Sequence, residues 1–322
     1  MRNGVLAGLI LAVVLAAGAW AGLRSYRAPG PLAEERPVVV PRASIGQVAD
    51  ALAAEGVVSG AVALRVAAVL TRGEGPLKAG EFAFPAHASL AGVLAVLRGG
   101  KPVQHRLTVP EGLTAAQVAV LLDKAPALDG PTTVPEEGWM LPDTYAFERG
   151  TARAALVERG AKAMERALDR AWAARAPDLP LASPREALIL ASIVERETGR
   201  PEERPRVAAV FLNRLRRGLK LQSDPTVAYG ASGGLGVLDH GITRAELDRD
   251  DPYNTYRIAG LPPGPICMPG VASLRAVTQP VGDDLYFVAD GGGGHAFART
   301  EAEHLRNVAH WRELERQRGA GR

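Results

Sequence analysis

The chain has one cysteine, Cys267, in 322 residues. A single thiol excludes an intramolecular disulfide. Cys267 lies in a proline-rich loop with no His or Asp at triad spacing, so it reads as a small apolar residue and not as a nucleophile. An excess of one charge is also missing: 38 Lys and Arg against 35 Asp and Glu leave +3. With aromatic residues at 5% there is no basic stripe interleaved with aromatics, so no nucleic-acid partner is expected. Lysine is scarce, five against 33 arginines, a compositional bias that carries no function. No His, Cys or Asp cluster has ligand spacing, so the sequence calls for no metal and no cofactor.

One long hydrophobic run is present. Gly4 to Leu23 is about 20 residues without a charge, enough at ~1.5 Å per residue to cross a hydrocarbon core of about 30 Å. Arg2 precedes it, and Arg24 and Arg27 follow, so charge alone leaves the orientation open. Ala17-Gly-Ala19 and Ala19-Trp-Ala21 would also fit signal-peptide cleavage, but the run is long for a signal peptide and an uncleaved anchor is the expectation. Either way the remainder lies outside the cytoplasm. The expected organisation is α+β: residues 1–27 an anchor, 28–37 a proline-rich linker, 38–150 a small α/β region and 151–322 a mainly helical domain with a β-hairpin.

In the first region Val38-Val-Val is β-rich and Ser44 to Leu52 is helical in pattern, ending near Gly56. Leu77 to Phe84 reads as a strand, and Ser89 to Leu97 as a helix closed by Gly99. Val103, His105, Leu107 and Val109 alternate with polar residues, a half-buried strand in which His105 is expected to be packed. Ser44-x-x-Gln47-Val48-Ala49-x-x-Leu52 recurs as Thr114-x-x-Gln117-Val118-Ala119-x-x-Leu122, a weak internal repeat that suits a binding module. In the second region, helices are expected over residues 155–174 and 205–217, and a capping box at Thr243 to Glu246. A hairpin is expected over Leu285–Ala289 and His295–Ala298 around a glycine turn, and a charged amphipathic helix closes the chain.

The most informative segment is Ser183-Pro-Arg-Glu-Ala-Leu-Ile-Leu-Ala-Ser-Ile-Val-Glu-Arg-Glu197-Thr198-Gly199. Ser183 with Glu186 makes an S-x-x-E capping box, Pro184 suits the first turn, and Gly199 and Pro201 end the helix. At 100° per residue Glu197 falls between Leu190 and Ile193 and continues the apolar stripe. Burial and the negative end of the helix dipole both favour its protonated form, the state a general acid needs. Glu195 projects to another side and reads as a structural charge.

Taken together, these residues resemble the endolytic murein transglycosylase family (MltG, YceG-like). The resemblance rests on Ala191-Ser-Ile-Val-Glu-Arg-Glu-Thr198, Val207 to Arg216, Leu221-Gln-Ser-Asp-Pro-Thr-Val227, Tyr253-Asn-Thr-Tyr256, Gly260-Leu-Pro-Pro-Gly264 and Leu285 to Asp290. In the first region Leu77 to Gly80, Val109 to Gly112 and Leu141 to Tyr145 add to it. It covers about Val38 to Trp311. The one departure noted is Ser223, where threonine is expected.

The resemblance implies a LysM-like region that binds peptidoglycan, then a lysozyme-like lytic transglycosylase domain facing the cell wall from the inner (plasma) membrane. It implies cleavage of the β-1,4 bond between N-acetylmuramic acid and N-acetylglucosamine, leaving 1,6-anhydro ends and terminating nascent glycan strands. Glu197 matches the family's catalytic glutamate. Gln222, Asp224, Asn254 and Tyr256 are candidates to orient sugars or hold Glu197, with local turn chemistry as the alternative for all four and Asp224-Pro-Thr226 as a helix cap. Penicillin-binding proteins are partners by family only. Two other readings stay open: a muramidase that puts water on the same bond with Asp224 as second acid, and a non-catalytic wall-binding scaffold.

Overall fold

The computed structural model describes residues 2–320. It is a mixed α/β chain whose folded part divides into two compact units. One ends at His105 and takes in Ala146–Thr151. The other comprises Arg106–Tyr145 and the chain from Ala152 onward.

The first unit opens with helix α1 (Arg2–Arg27). Of this, Gly8–Arg27 is apolar and long enough to cross a membrane, and no residue of its most apolar stretch is buried against protein. Then come β1 (Arg36–Val40), α2 (Ile45–Ala54), α3 (Ala61–Leu70), a 3-10 turn at Arg72–Glu74, β2 (Gly80–Phe84) and α4 (Leu90–Gly99). β1 pairs antiparallel with β2, Val38 opposite Phe82 and Val40 opposite Gly80. Alternation decides the faces: Val38 and Val40 point inward, and Val39 is exposed. Val38, Val40, Leu52, Leu64, Phe82, Phe84, Leu94 and Leu97 form the core. Fully burying a leucine or phenylalanine contributes about 1.5–3 kcal/mol, and this layer joins α2, α3 and α4 to the two-stranded sheet.

β3 (Gln104–Thr108) pairs with β5 (Thr144–Glu148), and both strands run from one unit into the other. Between them lie α5 (Ala115–Asp123) and the short β4 (Leu128–Asp129), which pairs with β6 (Thr151–Ala152). The sequence repeat is visible as two matching helix starts. Ser44 and Gln47 at α2, and Thr114 and Gln117 at α5, form reciprocal capping boxes. His105 lies beside Phe147, ring centroids 5.8 Å apart, and its Nε2 pairs with Glu81, which also accepts from Arg149 Nε at 3.0 Å.

The second unit continues with α6 (Arg153–Ala173), α7 (Pro184–Glu197), α8 (Arg204–Arg216), α9 (Asp224–Ala231), α10 (Arg244–Asp248) and α11 (Val271–Thr278). It ends with β7 (Tyr286–Ala289), β8 (His295–Ala298) and α12 (Glu301–Ala320). α7 is the central helix, since every residue from Ala187 to Val194 is buried. A helix apolar all round must be enclosed, and α6, α8 and α11 enclose this one. Ser183 caps it by accepting from Glu186 N at 3.3 Å. The return bond goes one residue further out than expected, from Ala182 N to Glu186 Oε2 at 2.6 Å, because Ser183 is fully extended.

The Thr243 to Glu246 box is reciprocal. β7 and β8 pair antiparallel with Ala289 opposite His295. Their glycine turn is closed by Asp290 Oδ1, which accepts from Gly292 N and Gly294 N at 2.6 and 3.0 Å. α12 packs on this hairpin, His304 stacked on Tyr286 at 5.0 Å. Its half-buried residues, His304, Asn307, Val308, Trp311 and Leu314, recur at helical spacing, the one-sided pattern expected, and none of its described side chains is fully buried because it covers the hairpin from outside.

Candidate active site

Glu197 is the last residue of α7, and Thr198 leaves the helix in extended conformation. The helix therefore delivers a carboxyl from the middle of an apolar core to its edge, where Glu197 is half-buried while Ser192, Ile193 and Val194 behind it are covered. Burial pushes its pKa up from 4.5 to about 7, and the nearby charge of Asp224 adds to the rise. A hydrogen bond from Ser223 and the charge of Arg214 oppose it. A carboxyl so placed holds its proton to neutral pH and still releases it, which suits both halves of an acid–base cycle.

The group opposite Glu197 is the N-terminus of α9. Ser223 Oγ donates to Glu197 Oε1. Ser223 is itself held by buried threonines: its N–H donates to Thr255 Oγ1 at 2.9 Å, and Thr226 Oγ1 donates to its carbonyl at 2.7 Å. Thr226 and Thr255 share a hydrogen bond at 2.9 Å, and Gln222 N donates to Thr255 O at 3.2 Å. The Leu221 to Val227 and Tyr253 to Tyr256 segments are thus stitched into one wall. Gln222 sits at φ 55, a left-handed conformation rare for a side chain of its size, and this turns the chain so that Ser223 faces Glu197.

Arg214, which the sequence reading passed over, underlies this wall. It is 9% exposed and lacks a carboxylate partner at ion-pair distance among the described residues. Its Nε donates to Leu285 O at 2.7 Å, and its Nη1 to Leu221 O at 2.9 Å and Gln222 Oε1 at 3.1 Å. The signal was available: Val207, Phe211 and Arg214 follow helical spacing, so a cation stands on an apolar face as Glu197 does.

The other expected residues divide. Asp224 Oδ1 accepts from Tyr256 Oη at 2.6 Å, which joins those two side chains beside Glu197. Burial, then the Asp224 hydrogen bond and charge, raise the Tyr256 phenol well above its ordinary value, so it stays a donor. Asn254 is 1% exposed and its amide is fully engaged. It donates to the carbonyls of Glu246, Leu247 and Arg249 at 2.9–3.1 Å, and its Oδ1 accepts from Tyr256 N at 3.0 Å. It builds the turn that carries Tyr256.

The side chain of Glu195 is 4% exposed and bound on all sides. Arg204 Nη2 reaches it at 2.9 Å, Gly270 N at 2.9 Å and Ser273 Oγ at 2.7 Å. It caps the start of α11 with a carboxylate. A Cβ on Gly270 would stand 1.8 Å from Glu111 Oε1, so a larger residue there would displace the Glu111 side chain. Cys267 is buried, its Sγ directed at Ser192 O at 3.2 Å. Among the described residues there is no group of three or more His, Cys, Asp or Glu able to hold a metal.

A raised carboxyl at a helix end, held by a hydroxyl on a facing loop, is an arrangement able to give and take a proton. The model of the YceG-like family matches residues 38–310, and the chain belongs to that family. It is 30% identical over 284 residues to an endolytic murein transglycosylase of Streptococcus pneumoniae, covering 72% of this chain and 50% of the relative. It is 35% identical over 173 residues to one of Bacillus subtilis, covering 53% of this chain and 46% of the relative. The chain thus spans about half the length of the curated relatives it matches. A crystal structure of a yceG-like protein of Listeria monocytogenes superposes with TM-score 0.52 at 28% identity, over 85% of this chain and 99% of that one.

Proposed function

We propose that this chain is an endolytic lytic transglycosylase of peptidoglycan, anchored by α1, with Glu197 as its catalytic residue. The observation that carries the reading is Glu197 itself, its pKa raised to about 7 at the end of a buried helix. Protonated Glu197 donates to the oxygen of the β-1,4 bond between N-acetylmuramic acid and N-acetylglucosamine. As carboxylate, with Ser223 donating to one oxygen, it then takes the proton of the muramic C6 hydroxyl. That oxygen closes the 1,6-anhydro ring, so the proton is returned and no water is consumed. Ordinary glycosidases need a second carboxylate for nucleophile or base. The engagement of Asp224 with Tyr256 speaks against Asp224 as that group. Gln222, Asp224 and Tyr256 orient the sugar, and Asn254 acts through Tyr256.

The LysM-like reading of the first unit is supported by its β-α-α-β order with paired outer strands. A cleft of about 880 Å³ opens at the loops after β1 and before β2, lined among others by Arg42, Ile45, Pro76 and Lys78. The scaffold reading, which would use this unit alone, gives no reason for a buried titratable Glu197. The relatives' names support glycan strands as substrate. An extracytoplasmic placement at the inner membrane and contact with penicillin-binding proteins complete the proposal.

Two tests follow. The Ser223 hydrogen bond lowers the pKa of Glu197, so Ser223→Ala should move the alkaline limb of the kcat/KM profile to higher pH and lower its plateau. Ser223→Thr, which keeps the hydroxyl, should leave the limb in place. An unmoved limb in the alanine variant would remove Ser223 from the mechanism. Separately, deletion of residues 1–23 should release folded protein that still cleaves isolated glycan strands, since that segment contributes no buried residue among those described. In cells, protease should reach residues 151–322 of the full chain only from the outer face of the membrane. A mature N-terminus after Ala19 or Ala21 would show a cleaved leader instead.

A further inference from the structure

Helix α3 has apolar residues on both sides. Leu64, Ala67 and Ala68 are buried in the first unit, yet Val62 (68%), Val66 (53%), Val69 (53%) and Leu70 (79%) are exposed along the opposite side. A soluble domain ordinarily places charge on such a face, and a contiguous exposed apolar stripe marks a contact. Its one charged residue, Arg65, is tied back to Asp50 Oδ1 at 2.7 Å. The sequence reading assigned no element to this segment, and neither the core nor the catalytic proposal uses its outer face.

What covers it is indicated by its neighbour. Val66, Ala67 and Leu70 of α3 line one side of an apolar groove of about 610 Å³, and Gly18, Gly22 and Leu23 of α1 line the other. Those α1 residues close its uncharged run. Trp20 lies there under the Arg24 guanidinium at 5.5 Å, and Tyr26 lines the groove too. An aromatic and arginine girdle at the end of an apolar span is the signature of the bilayer interface. Residues that share a groove with Gly18 to Leu23 are therefore at bilayer depth whenever α1 crosses a membrane.

We propose that α3 lies in the interfacial layer of the bilayer that α1 crosses, with Val62, Val66, Val69 and Leu70 among the lipid chains and the groove filled by lipid. Arg24, Arg27 and Arg65 sit at headgroup level, where anionic lipids favour them. The first unit is then held against the membrane surface by two elements. This rests on the anchor reading of α1, and the test separates the two.

The experiment uses the full-length chain in vesicles of phosphatidylethanolamine and phosphatidylglycerol, carrying a fluorophore at one introduced cysteine. The variants are Leu15→Cys in the span, Val66→Cys and Val69→Cys on α3, and Val39→Cys on the exposed face of β1. Wild type is the labelling control, because Cys267 is buried. Spin-labelled lipids should quench the labels at 15, 66 and 69 several-fold more than the label at 39, and aqueous iodide should show the reverse order. Quenching by lipid at 15 but not at 66 and 69 would overturn the α3 proposal and leave the anchor intact. No lipid quenching at 15 would overturn the anchor and the α3 proposal with it. Labels at 66 and 69 shielded from both quenchers would mean that another protein helix or a second copy fills the groove, which also overturns it.

Discussion

Replacing Glu197 with glutamine is expected to lower turnover at least about a hundredfold, the lower bound of what a positioned general acid contributes, without unfolding the chain. Glutamine keeps the shape and still accepts from Ser223, but it has no proton to give. The same variant carries a second signature with a definite sign. The folded protein holds the Glu197 proton to about pH 7, whereas an unperturbed carboxyl loses it near 4.5. The associated stability is therefore present below pH 4.5 and lost as pH rises to about 7. Ionised Glu197 costs the fold about 1–3 kcal/mol, allowing for its partial exposure. Glu197→Gln removes that cost, so above about pH 7 the variant should be more stable than wild type in urea titrations, and below pH 4.5 the two should coincide. Glu195→Gln, two residues away, should do the opposite. It loosens Arg204, Gly270 and Ser273 and lowers stability, while its effect on chemistry is much smaller. Equal loss of activity in both variants, with equal loss of stability, would return Glu197 to a structural role.

Arg214→Met is expected to cost about 3 kcal/mol or more, the largest stability effect predicted. Each buried acceptor left without a donor costs about 1–3 kcal/mol. Methionine fills much of the volume but leaves the buried carbonyls of Leu285 and Leu221 unpartnered, while the amide oxygen of exposed Gln222 turns to water. Exposed Arg217, three residues on, is the control, and Arg217→Met should stay within about 0.5 kcal/mol. Arg214→Met should also release the Gln222 to Ser223 turn, so activity should fall even at temperatures where the variant remains folded. A midpoint of unfolding unchanged from wild type would show that the wall facing Glu197 is held by the threonine network alone.

Much of this was legible in the sequence, and the reasons are local. The placement of Glu197 at the end of a buried helix is legible because two signals coincide: the cap and stop residues fix the helix, and its wheel puts a carboxyl on an apolar stripe. The box at Thr243 is readable as spacing, whereas Ser44 and Thr114 stand out in the sequence only as a repeat and their boxes are seen in the structure. Helix α3 was not read at all. Its Ala and Val composition gives no amphipathic period, because its outer face is as apolar as its inner one. The full enclosure of α7 was also hidden, since the burial of its second face depends on α6, α8 and α11 arriving there. Tertiary packing gathers residues 106–145 with the C-terminal unit, and a chain-order reading has no local signal for that. Asn254 was singled out as a polar loop residue in a distinctive run. That its amide is spent on three backbone carbonyls is a fact of turn geometry, which residue type does not reveal.

In the proposed mechanism one residue does two proton transfers, with the substrate's own hydroxyl as nucleophile. Mass analysis of the products released from purified glycan strands by the full chain tests this directly. The account predicts muramic ends in the 1,6-anhydro form, lighter by one water than hydrolysis products, from the earliest time points and from cuts inside the strands. Reducing muramic ends as the main product, carrying oxygen-18 when the reaction is run in labelled water, would contradict it and make the protein a hydrolase.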